Sequence, residues 1–232
     1  MPPFPTEQWL QEYRRRLNDS DAFAELGEGW GQGFDGDVLY VITDLPIEET
    51  ALGELPEATL SGLPDHVHET VADVTVADAP ETFEPIRSGI PDDLADKLDQ
   101  LESHVVDGTV YAYLGLEDGR CTEAEVLDGP DARETGFVMR GTYEVWRDIV
   151  DGRPSSSAVL SRDLTVSGNR LRRLRYAPMF QLLGSVASDV ETTHLFEGGD
   201  STATPLLDTA MRGRMVAERE THRSVKRTLN LL

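Results

Sequence analysis

Asp118 and Gly119 sit between two strand-like runs in VVDGTVYAYLGLEDGRCTEAEVL, residues 105–127. A two-residue Asp-Gly loop is a strong local signal for a β-hairpin, because both residues tolerate the positive φ angles of a tight primed turn. This constrains the chain more than any other feature, since it commits neighbouring segments to antiparallel pairing. A further strand, TGFVMRG, is expected at 135–141. GTYEVWRDIVDG then reads as a helix: Thr142 caps it, Tyr143, Trp146, Ile149 and Val150 form one stripe, and Gly152 can close it in the left-handed conformation.

The remaining elements follow from the same periodicities. A helix is expected over 6–17, with Trp9, Leu10, Tyr13 and Leu17 on one face, then a short turn of helix capped by Ser20 and stopped by Gly27. VLYVIT at 38–43 is β-branched and flanked by turn residues, so it reads as a strand, and VADVTV at 71–76 as a second candidate. Pro91, Asp92 and Asp93 open a helix over 91–104 striped with Leu94, Leu98 and Leu101. After Pro154, SSSAVLS reads as a short helix, DLTVSG at 163–168 as a last strand, and NRLRRLRYAPMFQLLGSV as an amphipathic stretch. The tail, 205–232, mixes leucines and methionines with arginines and reads as helical.

Charge excludes some functions. The chain has 43 acidic and 21 basic residues and a net charge of −22; only Lys97 and Lys226 are lysine. A surface this acidic repels nucleic acid, and the abundance of carboxylates with scarce lysine matches proteins that work in molar salt, where screening relieves self-repulsion. The charge is uneven: residues 1–130 carry net −24 and residues 131–232 net +2. A single cysteine, Cys121, excludes an internal disulfide and fits a reducing compartment. No basic segment followed by an apolar core opens the chain, and the uncharged run 176–188 is too short to span a bilayer, so a soluble cytoplasmic protein without stable membrane insertion is expected.

No motif builds a catalytic or metal centre. Gly31, Gly33 and Gly36 match G-x-G-x-x-G but precede a strand instead of following one, and Asp35 and Asp37 would repel a pyrophosphate. His66 and His68 lie two apart in DHVHE, read as a solvated loop and not as metal ligands. Ser155, Ser156 and Ser157 lack the strand-to-helix elbow of a nucleophile and are better explained by a helix start. Arg170, Arg172, Arg173 and Arg175 can meet a phosphate or carboxylate headgroup, although a surface answering the acidic N-terminal half is the favoured reading. No cofactor is expected.

The order FVMRGTYEVWRDIVDGRPSSSAVLSRDLTVSGNRLRRLRYAPMFQLL resembles the sterol carrier protein 2 family. Its members run strand, turn, a helix with an aromatic near its start (here Tyr143-Glu144-Val145-Trp146), Gly and Pro, a short helix, a strand ending in Gly then Asn or Asp, and a leucine-rich last helix. The resemblance covers about 105–187, with VLYVIT as a candidate first strand. It implies an α/β (α+β) fold, a mainly antiparallel five-stranded sheet covered by helices around an apolar tunnel, spanning 1–200 with an acidic insertion at about 44–104 and a helical extension at 201–232.

It further implies non-enzymatic binding or transfer of a fatty acyl, acyl-CoA, isoprenoid or sterol-like lipid. The tunnel wall would be Phe137 and Met139 on a strand, Tyr143, Trp146, Ile149 and Val150 on the next helix, and Leu174, Met179, Phe180 and Leu183 beyond, with Arg170, Arg172 and Arg173 at a headgroup. The alternative is an interaction module with a filled tunnel, which docks on an enzyme of acyl metabolism or pairs with itself as a homodimer.

Overall fold

The computed structural model describes residues 1–60 and 63–196. The chain divides into Met1–Glu197 and Gly198–Leu232; the second unit, with the helix expected over 205–232, lies outside the described residues.

Thr6 accepts a hydrogen bond from the Trp9 amide and starts α1 (Glu7–Asn18), whose Arg15 and Arg16 lie in the last turn where cations suit the helix dipole. Ser20 caps α2 (Asp21–Leu26) in the same way. Gly27 ends α2 at a φ of −84°, so its role is not the expected left-handed one. It is a close approach instead: a Cβ there would lie 2.4 Å from Gly119 Cα, in the turn of the hairpin expected from Asp118-Gly119.

That hairpin joins β4 (Thr109–Glu117) to β5 (Arg120–Leu127), with Asp118 and Gly119 at φ 45° and 73°. β2 (Val38–Thr43) pairs antiparallel with β4 and parallel with β6 (Phe137–Thr142), which pairs antiparallel with β7 (Thr165–Gly168). The short β3 (Val105–Val106) pairs with the start of β4, so Val110 lies between Val105 and Ile42. β3 and β5 therefore share one side of β4, and the six strands fill five positions across the sheet where five strands are expected. A separate parallel pair, β1 (Pro3–Phe4) with β8 (Thr193–His194), ties the N-terminus to the end of the described chain.

Period-two alternation sorts the sheet into two faces. One carries Val38, Tyr40 and Ile42 beside Val110, Ala112, Leu114, Phe137 and Met139, and belongs to the main core with the helices. The other carries Leu39, Val41, Tyr113 and Leu127. On the first face pack α1, α6 (Tyr143–Val150) and α9 (Ala177–Ala187), with α7 (Ser155–Ser161) against α9 and α8 (Arg170–Arg175) leading into it.

The acidic segment 44–104 is structured. It forms α3 (Asp65–Val71), α4 (Ala79–Phe83) and α5 (Asp92–His104), with 3-10 turns at Leu52–Glu54 and Glu57–Thr59 ahead of α3 and a 3-10 segment at Glu84–Gly89 between α4 and α5. The strand expected at 71–76 does not form. Val71 ends α3, and the only ladder contact there among the described residues is a single antiparallel bridge from Thr75 to Ala51, because Val71 and Val76 both bury against the helical layer instead of a sheet neighbour. His66 and His68 consequently lie on a helix, not in a loop.

Candidate functional site

The expected tunnel wall is a packed core. Trp146 lies over Tyr40 with ring centroids 4.6 Å apart and donates from Nε1 to the Val41 carbonyl at 3.3 Å. Phe137 and Phe180 meet edge to face at 5.3 Å, and Trp30, Phe34 and Tyr176 complete one continuous aromatic cluster around them. Met139, Ile149, Val150, Met179 and Leu183 are buried in the same core. Leu174 is different: it is 77% exposed on α8, because the helix turns that face to solvent.

Open space lies elsewhere on the same face of the sheet. An apolar cavity of about 100 Å³ sits where the 44–104 layer closes over the start of β4. Val110 and Val126 form its floor, Leu94, Leu98 and Leu101 of α5 with Phe83 form one wall, and Leu45, Leu52, Leu60 and Val76 form the other. Pro5, Leu195 and Phe196 close the end. None of the ten expected tunnel residues lines it. Tyr143 comes nearest through a shared partner, since its ring meets that of Phe196 at 5.3 Å.

The leucine stripe of α5 could have located this wall from sequence, since Leu94, Leu98 and Leu101 are legible there as a buried face. What it could not show is that this face meets an unfilled space. The reason is geometric: the sheet side chains at this end, Val110, Ala112 and Val126, are small, while those under α6 and α9 are Tyr40, Phe137 and Met139.

Polar groups at the cavity are few and come mainly from α5. Gln100 accepts a hydrogen bond from the Glu7 amide at 3.2 Å and so ties α5 to α1, and His104 Nδ1 lies 2.9 Å from Asp128 Oδ1. Lys97 also lines the cavity. An open depression of about 440 Å³ adjoins it, sharing Ile47, Leu101 and Val105 and carrying Glu81, Glu84 and Glu102. Arg87 pairs with Glu84, Glu102 and Asp99, which leaves this mouth acidic on balance.

Arg170, Arg172 and Arg173 do not line the cavity. Arg172 meets the acidic N-terminal half expected from sequence through Gly33 and Phe34, by backbone and ring and not by a carboxylate. Among the described residues none of the four α8 arginines pairs with a carboxylate; Arg172 instead lies over the Phe34 ring at 4.5 Å, Arg173 donates to the Val166 carbonyl, and Arg175 lies over Tyr176 at 5.3 Å.

Buried titratable groups nearby are held neutral. Burial pushes the Cys121 thiol up to about 12 from its ordinary 9.0, and the Tyr143 hydroxyl up to about 12 from 10.0. Tyr13 moves the same way for the same reason, its hydroxyl 3.0 Å from that of Tyr40 and donating to the Leu183 carbonyl at 2.9 Å. Because the folded state holds these protons more tightly than the unfolded chain, the stability they contribute is full below about pH 9 and is lost as pH rises toward 12. The expected result is a urea midpoint that is flat from neutrality to about pH 8.5 and falls above about pH 9.5, with a shallower fall in Cys121→Ala. Cys121 should also resist thiol reagents until the chain unfolds.

Among the described residues, no group of three or more His, Cys, Asp or Glu side chains is placed to hold a metal ion. Nor is any described helix long and apolar enough to cross a membrane.

No protein-family model matches the chain, and no curated protein does. Among solved structures it is similar to a crystal structure of sterol carrier protein 2, at 20% identity and a TM-score of 0.47, covering 80% of this chain and 97% of that one. It is also similar to a conserved hypothetical protein from Thermus thermophilus, described as possibly a sterol carrier protein, at 20% identity and a TM-score of 0.47, covering 81% and 90%. A third is the UbiJ-SCP2 ubiquinone synthesis protein, at 12% identity and a TM-score of 0.34, covering 82% and 98%.

Proposed function

We propose that the protein binds a hydrophobic small molecule, without covalent chemistry, in the cavity between α5 and the start of β4. The observation that carries this reading is the cavity itself, a space of about 100 Å³ walled mainly by leucine, valine and phenylalanine, with Thr6, Thr59, Lys97, Gln100 and His104 also on its lining. Apolar space of this order accepts small apolar groups, as an engineered cavity of about 150 Å³ lined by Leu, Ile and Phe accepts benzene. It takes a chain end of a few carbons as it stands, and burial of each methylene contributes about 0.8 kcal/mol.

Charge at the mouth narrows the class. Glu81, Glu84 and Glu102 outnumber Arg87 and Lys97, so a phosphate-bearing carrier such as acyl-CoA is disfavoured against a neutral amphiphile of isoprenoid or alcohol type. The acidic composition and buried reduced cysteine support a cytoplasmic setting in high salt.

Titration with decanol and with decanoate, monitored by chemical-shift changes of Leu98 and Val110 methyls, tests the proposal. Saturable binding of decanol at these methyls, weaker for decanoate, is expected. Val110→Phe should fill the floor and lower the decanol affinity by about tenfold or more, about 1.4 kcal/mol, while the chain stays folded. Binding unchanged in that variant would remove the cavity from consideration. Absence of binding by any amphiphile would favour the interaction module, for which the filled aromatic core under α8 and α9 is the supporting observation.

A further inference from the structure

Two leucines stand exposed on α8 amid arginines, in contrast to the acidic balance of the chain; α7 carries a further exposed leucine, Leu160. Leu171 and Leu174 are 79% and 77% exposed and, three apart in a helix, share one face. Arg170 and Arg175 are exposed beside them, and Arg172 and Arg173 are half-buried. In a chain of net charge −22, these four arginines have no carboxylate partner among the described residues.

α8 is firmly seated. Asn169 caps it by accepting from the amides of Leu171 and Arg172 at 3.1 Å each. Arg172 lies over Phe34 and donates to the Gly33 carbonyl at 3.4 Å, and the rings of Phe34 and Tyr176 stack at 5.8 Å beneath. The leucines thus stand outward from a helix anchored by these contacts.

We propose that α8 is a docking platform for an anionic lipid surface. Two protruding leucines enter the acyl boundary, and guanidinium groups around them meet lipid phosphates bidentately. A soft surface accepts leucines that stand this far out, whereas a protein partner would need matching pits. In the high salt proposed above, repulsion between the surface and the chain's carboxylates is screened beyond about 3 Å at about 1 M, so only arginines in direct contact with lipid phosphates add to the leucines. The platform is independent of the cavity: it would deliver a carried molecule to a membrane, but it stands or falls without one.

The test is flotation of the full chain with phosphatidylcholine vesicles, with and without about one-third phosphatidylglycerol. The expected result is binding to the anionic vesicles only, reduced about tenfold or more in Leu171→Ser/Leu174→Ser and in Arg170→Glu/Arg175→Glu, and weakened by added salt. Because all four side chains are exposed, the variants should fold as the parent does, which circular dichroism checks. Equal binding by the variants, equal binding to pure phosphatidylcholine, or no binding at all would overturn the proposal. So would lipid-free self-association that the leucine variant abolishes, which would assign the face to a second copy of the chain. Decanol titration of the same variants should be unchanged, so failure of the platform is distinct from failure of the cavity.

Discussion

Trp146→Ala is expected to destabilise the protein by about 3–5 kcal/mol, the range for removing a large buried aromatic. The indole is 3% exposed, lies over Tyr40, and satisfies its Nε1 on the Val41 carbonyl. Truncation therefore leaves a cavity between α6 and β2 and removes the indole hydrogen bond. Urea unfolding measures the loss directly, as a lower midpoint at unchanged slope. The result also decides a functional point. A tunnel wall would tolerate truncation cheaply and gain room for a longer ligand; a cost below about 1.5 kcal/mol with tighter decanol binding would show that Trp146 lines a ligand space after all.

Gly119→Ala should cost about 3 kcal/mol by two mechanisms acting together. Its φ of 73° is in the left-handed region, which disfavours a Cβ, and that Cβ would lie 2.5 Å from the Ala24 carbonyl oxygen. Backbone cannot swing aside as a side-chain tip can, so α2 would have to part from the β4–β5 turn. Gly129→Ala is the control, since a Cβ there meets nothing within 4 Å and its φ is not positive; it should shift stability by no more than about 0.5 kcal/mol. If the two variants unfold at the same urea concentration, the packing of α2 on the hairpin turn is not what the geometry indicates.

Legibility varies along the chain in the same physical terms. The Asp118-Gly119 turn is readable because turn chemistry is local: two residues set the φ angles, and the flanking alternation sets the strands. The cap at Thr142 and the stripe of Tyr143, Trp146, Ile149 and Val150 are readable for the same reason, and α6 runs as expected. Gly27 is not. It reads as a helix stop in sequence, yet what requires a glycine there is the passage of Gly119, remote in sequence, against its α-carbon. VADVTV fails similarly, since an apolar run of β-branched residues becomes a strand only where a neighbouring strand continues beside it, and here the partner backbone is extended at Ala51 and turns at Leu52 into a 3-10 turn.

By itself the sequence determined the longer elements outside 44–90, the stripes of α1, α5 and α6, the hairpin and the acidic balance, because periodicity, capping and charge are properties of residues within a turn or two of each other. Only the tertiary structure decided which buried face meets a void and which meets another side chain. α5 and α6 carry equivalent leucine or aromatic stripes, but α6 settles on Tyr40 and closes, whereas α5 settles over Val110 and Val126 and leaves a cavity. The difference is the volume of the side chains opposite, which belongs to pairs of residues far apart in the chain, and so to the fold alone.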